Sequence, residues 1–417
     1  MTAAIHAQWD GPAGRDPWVL AVCLARVFLF AIFMAVAATV PVIMPAWEIG
    51  AAQAGSIVTS FTVFYALSLF VTSWIADHFG AKRVALGSCW LAAAAAASFG
   101  LFARDYASAL VLYGLAGLMQ GGIYTPIVML FAERYSPRRR GNAVGWLIGS
   151  TSIGYAGSLS TAGIGLALGG WQAAFVLTGL LPTLGAALLT AVLWRMPNTI
   201  HERGGAPSLK AALFANRDAR RLVAGYTAHS WELLGMWAWI PAFVAANLSF
   251  NGWSVLAGAG LSAYVAAAGH ISGAAASLNM GAASDRHGRK AVLFAVAAAG
   301  AVLSFSIGWM VAVPTLIVAP LVLVYAYLAI GDSAVLSTAL TEAVSPAYLG
   351  SALAIRSLFG FGAGALAPLA FGAILDLAGN GTAASPLAWG VGFAALGLGG
   401  IIAAWYALQL KSVGRSR

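Results

Sequence analysis

Apolar segments, each long enough to cross a lipid bilayer, follow one another along almost the whole chain. The sequence is 61% hydrophobic and only 8% charged, a composition that soluble domains of this size do not have. A transmembrane helix needs about 20 mainly apolar residues, and twelve such segments are predicted. They are 18–44, 52–75, 84–103, 107–132, 143–168, 171–194, 220–246, 255–283, 291–311, 315–341, 350–376 and 385–409. The expected fold class is therefore all-α and integral to the lipid bilayer.

A short charged corner occurs twice, at equivalent places in the chain. Gly281 to Lys290 reads GAASDRHGRK, and in it Asp285 precedes Gly288, just as Asp77 precedes Gly80 in the first half. The two aspartates are 208 residues apart. A second set repeats at a shift of 209: Glu133, Ser136, Pro137, Gly141 and Ala143 match Glu342, Ser345, Pro346, Gly350 and Ala352. The sequence therefore predicts a tandem duplication of a six-helix unit.

Basic residues and one polar stretch define the expected topology. The net charge is +9, and nearly all Lys and Arg fall in the loops on one side of the predicted spans. Because such residues are retained in the cytoplasm, both termini are expected to be cytoplasmic. The same distribution explains the positive charge without any binding of nucleic acid. The polar stretch 195–219 is predicted to be a cytoplasmic linker between an N-terminal bundle, 1–194, and a C-terminal bundle, 220–417.

Twelve spans in two parallel repeats, with the corner motif after the second helix of each, resemble the major facilitator superfamily (MFS) of secondary transporters. The resemblance covers the whole chain. In the second half the motif consists of Gly281, Asp285, Arg286, Gly288, Arg289 and Lys290, with Glu342 as its partner after the fourth helix of the repeat. The first copy consists of Asp77, Gly80, Lys82, Arg83 and Glu133. It departs from the family pattern, because Ser73 replaces the glycine and His78 the arginine.

The resemblance implies alternating access, in which two bundles rock about a central site lined by spans 1, 4, 7 and 10. Asp77 and Asp285 would then lie against the N-termini of spans 11 and 5, where backbone N–H groups attract a carboxylate. Arg356 would be a direct ion-pair partner of Asp77. Glu133 and Glu342 would pair with the basic residues of the corners. The alternative is that all these charges only anchor the topology of the chain.

Ionisable side chains within the spans are candidate substrate and proton sites, because a charge at bilayer depth is costly. Arg26 in span 1 and Glu232 in span 7 should lie at similar depth, where they could pair across the cavity. His229 shares a helical face with Glu232, and an acid beside an imidazole suits a group that takes up and releases protons. A static ion pair with Arg26 is the alternative for Glu232, and a structural hydrogen bond is the alternative for His229 and His270.

Three further polar residues complete the candidate cavity. Asp332 in span 10 is an acid flanked by Gly331 and Ser333, which suits either a ligand or a helix that flexes there. Gln120 and Tyr124 in span 4 offer neutral polar contacts.

The expected function is secondary active transport of a small organic anion, coupled to protons, across the inner membrane of a bacterial cell by a monomer. An embedded arginine suits a carboxylate, whereas family exporters of cationic drugs usually carry an acid in span 1 and a Gly-Pro signature in span 5. His229 to Pro241 resembles, more weakly, the cyanate-type and nitrate-type permeases. The alternative is an exporter of neutral metabolites or drugs. No constellation of a membrane enzyme is present in the sequence, and no cofactor or metal is expected.

Overall fold

A computed structural model describes residues 13–135, 137–200, 216–344, 349–379 and 385–411. Within these ranges the chain is helical, and eleven helices are long and apolar enough to cross a membrane. One of them, 143–193, has 51 residues and breaks at Gly170, where φ is +69°. It therefore contains spans 5 and 6, and the expectation of twelve spans is met. Most of the linker, residues 201–215, lies outside the described residues, as do Ser136, Ser345 and Pro346 of the repeated motif.

The twelve spans correspond to the following helices. Span 1 is Pro17–Leu29 and Ala35–Ala46, span 2 Ala51–Phe79, span 3 Ala81–Phe102, span 4 Tyr106–Gln120 and Tyr124–Arg134, spans 5 and 6 Pro137–Leu193, span 7 Arg217–Phe250, span 8 Val255–His287, span 9 Arg289–Ile307, span 10 Thr315–Ala343, span 11 Leu349–Ala378 and span 12 Pro386–Leu408. Short 3-10 turns, Phe30–Ile32 and Gly121–Ile123, interrupt spans 1 and 4.

The two predicted corners are sharp turns between consecutive helices. Gly80 ends span 2 and begins span 3 with a φ of +87°, and Gly288 does the same between spans 8 and 9 with a φ of +88°. L-residues with a Cβ rarely adopt this backbone conformation, so glycine is required at both positions. We call the end of the bundle that carries these two glycines the corner side, and the opposite end, at Gly50, the far side.

Spans 2 and 11 pack closely against each other and join the first six spans to the last six. A Cβ on Gly55 would meet the carbonyl oxygen of Pro368 at 2.2 Å, and one on Gly372 would meet that of Ala51 at the same distance. Glycine therefore lets the two backbones approach without a side chain between them. Nearer the middle of the bundle, Thr59 Oγ1 donates to Ala365 O at 2.6 Å.

A carboxylate from span 11 caps the first turn of span 2 on the far side. Ala51 N and Ala52 N donate to the two carboxylate oxygens of Asp376, each over 2.8 Å. These are backbone N–H groups that a helix cannot satisfy internally. The cap therefore belongs to one half of the protein and the helix that it completes belongs to the other.

We predict that Asp376→Asn weakens closure of the far side. The amide keeps one acceptor but loses the charge and one of the two bonds, and loss of a helix cap costs about 1 kcal/mol, about a fivefold change in the ratio of closed to open far side. A cysteine introduced at Val58 should then react faster with a reagent added from the far side. Both natural cysteines, Cys23 and Cys89, are buried.

Asp105→Asn is the matched control for this experiment. Asp105 also caps a helix on the far side, because its carboxylate accepts from Ser108 N at 2.8 Å, but that helix is its own. The control should leave the labelling rate unchanged. Equal rates for wild type and Asp376→Asn would contradict a role of the cap in closure.

Candidate functional site

The site is built around the interruption of span 1, where three backbone carbonyls lose their helical partners. Side chains of neighbouring spans donate to them: Gln120 Nε2 to Leu29 O at 2.9 Å, Tyr113 Oη to Phe33 O at 2.7 Å, and Ser158 Oγ to Ala31 O. Inside a bilayer such groups must be satisfied by the protein itself. Gln120 is buried and its Nε2 holds the interruption of span 1, whereas its Oε1 has no hydrogen-bond partner. Its expected role as a cavity contact stays a prediction.

Arg26 lies just before this interruption and is completely buried. Its Nη1 donates to Leu147 O and Ser150 Oγ, and its Nη2 donates to Thr151 Oγ1 at 3.0 Å, so all three acceptors belong to span 5. Nε has no partner. A guanidinium has five N–H donors, so the Nε hydrogen and one Nη2 hydrogen are left. The unpaired Nε–H can donate a charge-assisted hydrogen bond to an anionic oxygen.

Aromatic rings surround the Arg26 guanidinium. Its Cζ lies 4.9 Å from the ring centroid of Phe30 and 5.4 Å from that of Tyr124. Tyr65 and Tyr155 are also within electrostatic range of the guanidinium. Cation–π contacts stabilise a buried cation without neutralising it. Arg26 is therefore held in place by neutral groups and keeps its full charge.

Aromatic contacts between the two halves close the bundle beyond this layer. The ring of Tyr155 lies 5.2 Å from Trp237 and 5.3 Å from His270, and the ring of Tyr65 lies 5.7 Å from Phe361. The ring nitrogen Nδ1 of His270 is buried without a hydrogen-bond partner. His270 therefore belongs to an aromatic layer between the halves. The structural hydrogen bond expected for it is not present at Nδ1.

His229 and Asp332 form the closest contact between candidate ionisable residues. His229 Nδ1 lies 2.9 Å from Asp332 Oδ1, and His229 Nε2 is hydrogen-bonded to Ser333 Oγ at 2.9 Å. Both side chains are buried. This arrangement joins span 7 to span 10 through an imidazole in contact with a carboxylate.

Glu232 does not face Arg26. Its Oε1 accepts from Tyr325 Oη at 3.0 Å, and its Oε2 lies beside Gly400 of span 12. The side chain thus points into the interior of the last six spans, which corrects its assignment to the cavity opposite Arg26. Depth along a helix does not determine the direction in which a side chain points around the helix axis. Because span 7 is buried on several faces, the sequence did not indicate which of its faces looks towards the other half.

Arg356 also has partners different from those expected. Its Nη1 donates to Ser337 Oγ at 2.6 Å, its Cζ lies 4.2 Å from the ring centroid of Tyr226, and its Nε has no hydrogen-bond partner. The ion pair with Asp77 that the sequence suggested is not among these contacts. Arg356 lies about two turns inside span 11, and its contacts are with span 10 and span 7 of the last six spans.

At the corner of the second half, Arg289 connects both acids of the motif. Its Nη1 lies 2.6 Å from Asp285 Oδ1 and its Nη2 lies 2.8 Å from Glu342 Oε1. The pairing of Arg289 with Glu342 expected from the sequence is confirmed. Asp285 is 66% exposed and contacts Arg289 of its own corner, and its expected contact with the N-terminus of span 5 stays a prediction. Arg286 and Lys290 flank the pair in the same corner.

The first corner is stabilised differently. Lys82 Nζ donates to Trp194 O and Met196 O at the end of span 6, at 2.9 and 2.6 Å, rather than to Glu133. Asn198 closes the turn, because its amide donates to Phe79 O at 2.9 Å and accepts from Arg83 N at 3.1 Å. The sequence analysis did not identify Asn198, and nothing in its local sequence marks it as a partner of a turn more than a hundred residues away.

Asp16 forms a further cluster at the corner side that the sequence analysis missed. Its carboxylate accepts from Arg134 Nε at 2.8 Å, Tyr135 Oη at 2.6 Å and Trp18 N at 2.9 Å. Burial would raise the pKa of Asp16, but the hydrogen bonds from Arg134, Tyr135 and Trp18 outweigh it and hold this pKa below its ordinary value of 3.8. The signal in the sequence was Asp followed by Pro17, the usual start of a helix. The cluster ties the start of span 1 to the end of span 4.

Two six-span halves, joined by closely packed helices and enclosing buried ionisable groups, define a membrane transporter fold. A family model described as Major Facilitator Superfamily matches residues 22–331, and the chain belongs to this superfamily. The fold is similar to that of a bacterial homologue of the human lysosomal transporter Spinster, solved in an inward-facing, unoccupied conformation (TM-score 0.70, 19% identity, 95% of this chain and 97% of that one). It is also similar to the nucleoside transporter NupG (TM-score 0.70, 13% identity, 94% and 99%).

Two relatives are more similar in sequence than these solved structures. One is a probable sulfoacetate transporter of Cupriavidus necator, 26% identical over 216 residues, which are 52% of this chain and 49% of the relative. The other is a 3-(3-hydroxy-phenyl)propionate transporter of Escherichia coli strain K12, 30% identical over 182 residues, 41% of this chain and 42% of the relative. The alignments thus span less than half the length of each of these relatives.

We predict that Asp16→Asn lowers stability in a pH-dependent way. A depressed folded-state pKa contributes stability that is present above the unfolded pKa, about 3.9, and is lost as the pH falls through the folded value. Loss of the charge should therefore lower the free energy of unfolding by about 2 kcal/mol at pH 7. Thermal unfolding in detergent should show a constant difference between wild type and variant above about pH 5 and a shrinking one below about pH 4.

The control variant is Asp218→Asn. It removes a surface ion pair with Arg221, and such pairs contribute about 0–1 kcal/mol. A difference between wild type and Asp16→Asn that stayed the same down to pH 3 would show that the charge of Asp16 is not what stabilises the cluster.

Proposed function

We propose that this protein carries a small organic anion across the cytoplasmic membrane by alternating access, with the anionic group bound to Arg26. The observation that supports this most directly is the unpaired Nε atom of a completely buried guanidinium. Three acceptors of span 5 hold Arg26, yet none carries a negative charge. A buried cation without a counter-ion is costly, and a bound carboxylate or sulfonate supplies one. The substrates named for the two relatives both carry a carboxylate, which supports the same class.

We also propose which end of the bundle faces the cytoplasm and what the two corners do there. Basic residues concentrate on the corner side, so the corner side is taken to be cytoplasmic and the far side periplasmic. The two corner motifs with Asp77, Glu133, Asp285 and Glu342 would then form the cytoplasmic seam between the halves. The cap of span 2 by Asp376 would belong to the periplasmic seam.

Proton coupling is proposed to depend on His229 and Asp332. They lie 2.9 Å apart, both are buried, and they connect span 7 to span 10. An imidazole in contact with a carboxylate can take up a proton from water on one side and release it on the other when the access of water to the pair changes. Glu232 is a weaker candidate, since it is enclosed by Tyr325 and by the glycine faces of spans 9 and 12.

The test of anion binding uses Arg26→Gln and Arg26→Lys. Loss of charge-assisted hydrogen bonds costs about 1.5–3 kcal/mol, so binding of a carboxylate to the purified protein should weaken about ten- to hundredfold. Lysine should rescue it poorly, because an ammonium lacks the planar fork. The control is Arg221→Gln, which removes a cation paired with Asp218. Unchanged binding in Arg26→Gln would favour a neutral substrate, and the chain would then be an exporter of neutral metabolites or drugs.

The test of proton coupling compares Asp332→Asn with Glu232→Gln in proteoliposomes. Asp332→Asn should retain exchange of substrate between loaded vesicles and lose uptake driven by a pH gradient, because exchange needs no net proton movement. Glu232→Gln should retain both, since its amide can still accept from Tyr325. Gradient-driven uptake that survives in Asp332→Asn but is lost in Glu232→Gln would return the proton site to Glu232.

A further inference from the structure

We infer that Arg356 is a second anion anchor, facing Arg26 from the other half, and that the cavity takes a small substrate with two anionic groups. This inference rests on the proposed function and makes its substrate class narrower. The class is a short dianion, either a dicarboxylate or a sulfo-carboxylate. Arg26 would hold one anionic group and Arg356 the other.

The two arginines lie in one layer of the bundle. With a rise of 1.5 Å per residue, Arg26 lies about 14 Å along span 1 from Pro17, and Arg356 about 10 Å along span 11 from Leu349. Both helices begin at the corner side. Tyr226, over which the Arg356 guanidinium lies, is about 14 Å from the start of span 7 by the same measure. The two cations therefore occupy similar depths in opposite halves.

Tyr124 links the two arginines across the seam. Its ring centroid lies 5.4 Å from the Cζ of Arg26, and its phenol is within electrostatic range of Arg356 as well. Tyr226 belongs to the last six spans, and it is within electrostatic range of Tyr65, Tyr124 and Tyr155 of the first six. Each arginine thus has a tyrosine ring beside it, Tyr124 at Arg26 and Tyr226 at Arg356. These two tyrosines provide apolar ring surface for a short carbon linker and hydroxyl groups for its polar ends.

Both arginines lack a counter-ion. Among the described residues, no carboxylate lies within ion-pair distance of either guanidinium, and the Nε of each is buried without a partner. The two acids at comparable depth have other partners: Asp332 contacts His229, and Glu232 accepts from Tyr325. Arg26 is completely buried, and Arg356 is partly buried with its Nε atom enclosed and unpaired. Two cations of this kind in one layer favour a ligand that brings two negative charges, because an unpaired charge away from water is unfavourable.

The neutral contacts of Arg356 fit an anchor better than a purely structural role. Its Nη1 donates to Ser337 Oγ, and its guanidinium plane stacks near Tyr226. These contacts fix the orientation of the side chain while leaving its Nε edge available. Arg26 is held in the same way by Ser150, Thr151 and Phe30. Each half thus supplies one arginine that neutral groups orient.

The experiment measures binding of matched anions to the full-length protein purified in detergent. The probes are malonate and sulfoacetate as dianions, and acetate and propionate as monoanions. Wild type should bind the dianions at least tenfold more tightly than the monoanions. Arg356→Gln should weaken dianion binding at least tenfold and change monoanion binding less than threefold, because only the second anionic group loses its partner. Arg26→Gln should weaken both classes, and the control Arg221→Gln neither.

The outcomes separate this inference from the function on which it rests. Monoanion binding that depends on Arg26, without any preference for dianions, would overturn the inference and leave the proposed function standing. An equal loss of both classes in Arg356→Gln would also overturn it, since a structural or gating role predicts that result. Failure of wild type to bind any of the four anions would overturn both. If Arg356→Gln does not fold, Arg356→Lys replaces it: the lysine variant should bind monoanions as wild type does and lose part or all of the preference for dianions. An unchanged preference, or an equal loss of both classes, would overturn the inference.

Discussion

The site depends on the way in which span 5 holds the guanidinium of Arg26 without neutralising it. A carboxylate in place of Ser150 or Thr151 would form an internal ion pair and remove any need for a ligand. Carbonyl and hydroxyl oxygens satisfy three donors and leave the charge in place. Span 1 breaks just after Arg26, and side chains of spans 4 and 5 donate hydrogen bonds to carbonyl oxygens at that break. The polar residues of spans 4 and 5 thus stabilise the interrupted shape of span 1 and the position of the Arg26 guanidinium.

The sequence determined the large-scale architecture because its signals there are strong. The length of the apolar segments predicted the membrane spans, and the repeated Asp–Gly corners predicted the tandem duplication. The positive φ values of Gly80 and Gly288 explain why those corners recur. The pair of Arg289 with Glu342 could also be predicted, since both residues lie at the same end of neighbouring helices.

The orientation of side chains within the bundle could not be predicted in the same way. These spans are rich in Ala and Gly and several are buried on more than one face, so no amphipathic stripe indicates which face looks towards the cavity. Glu232 was therefore placed opposite Arg26 when it lies beside Tyr325, and Arg356 was paired with Asp77 when it bonds to Ser337. Partners such as Asp16 with Arg134 or Asn198 with Arg83 join residues more than a hundred positions apart, and local patterns carry no record of them.

The cap on span 2 has a consequence for the local order of that helix. Asp376 reaches the first amides of span 2 only while the far ends of spans 2 and 11 stay together. When they separate, Ala51 and Ala52 lose their acceptors, and the Gln53 side chain, which accepts from Gly50 N, is the cap contact that the helix carries with it. The first turn of span 2 is then ordered in one state of the transport cycle and prone to fraying in the other. Hydrogen exchange at two backbone amides would thus report the state of the whole molecule.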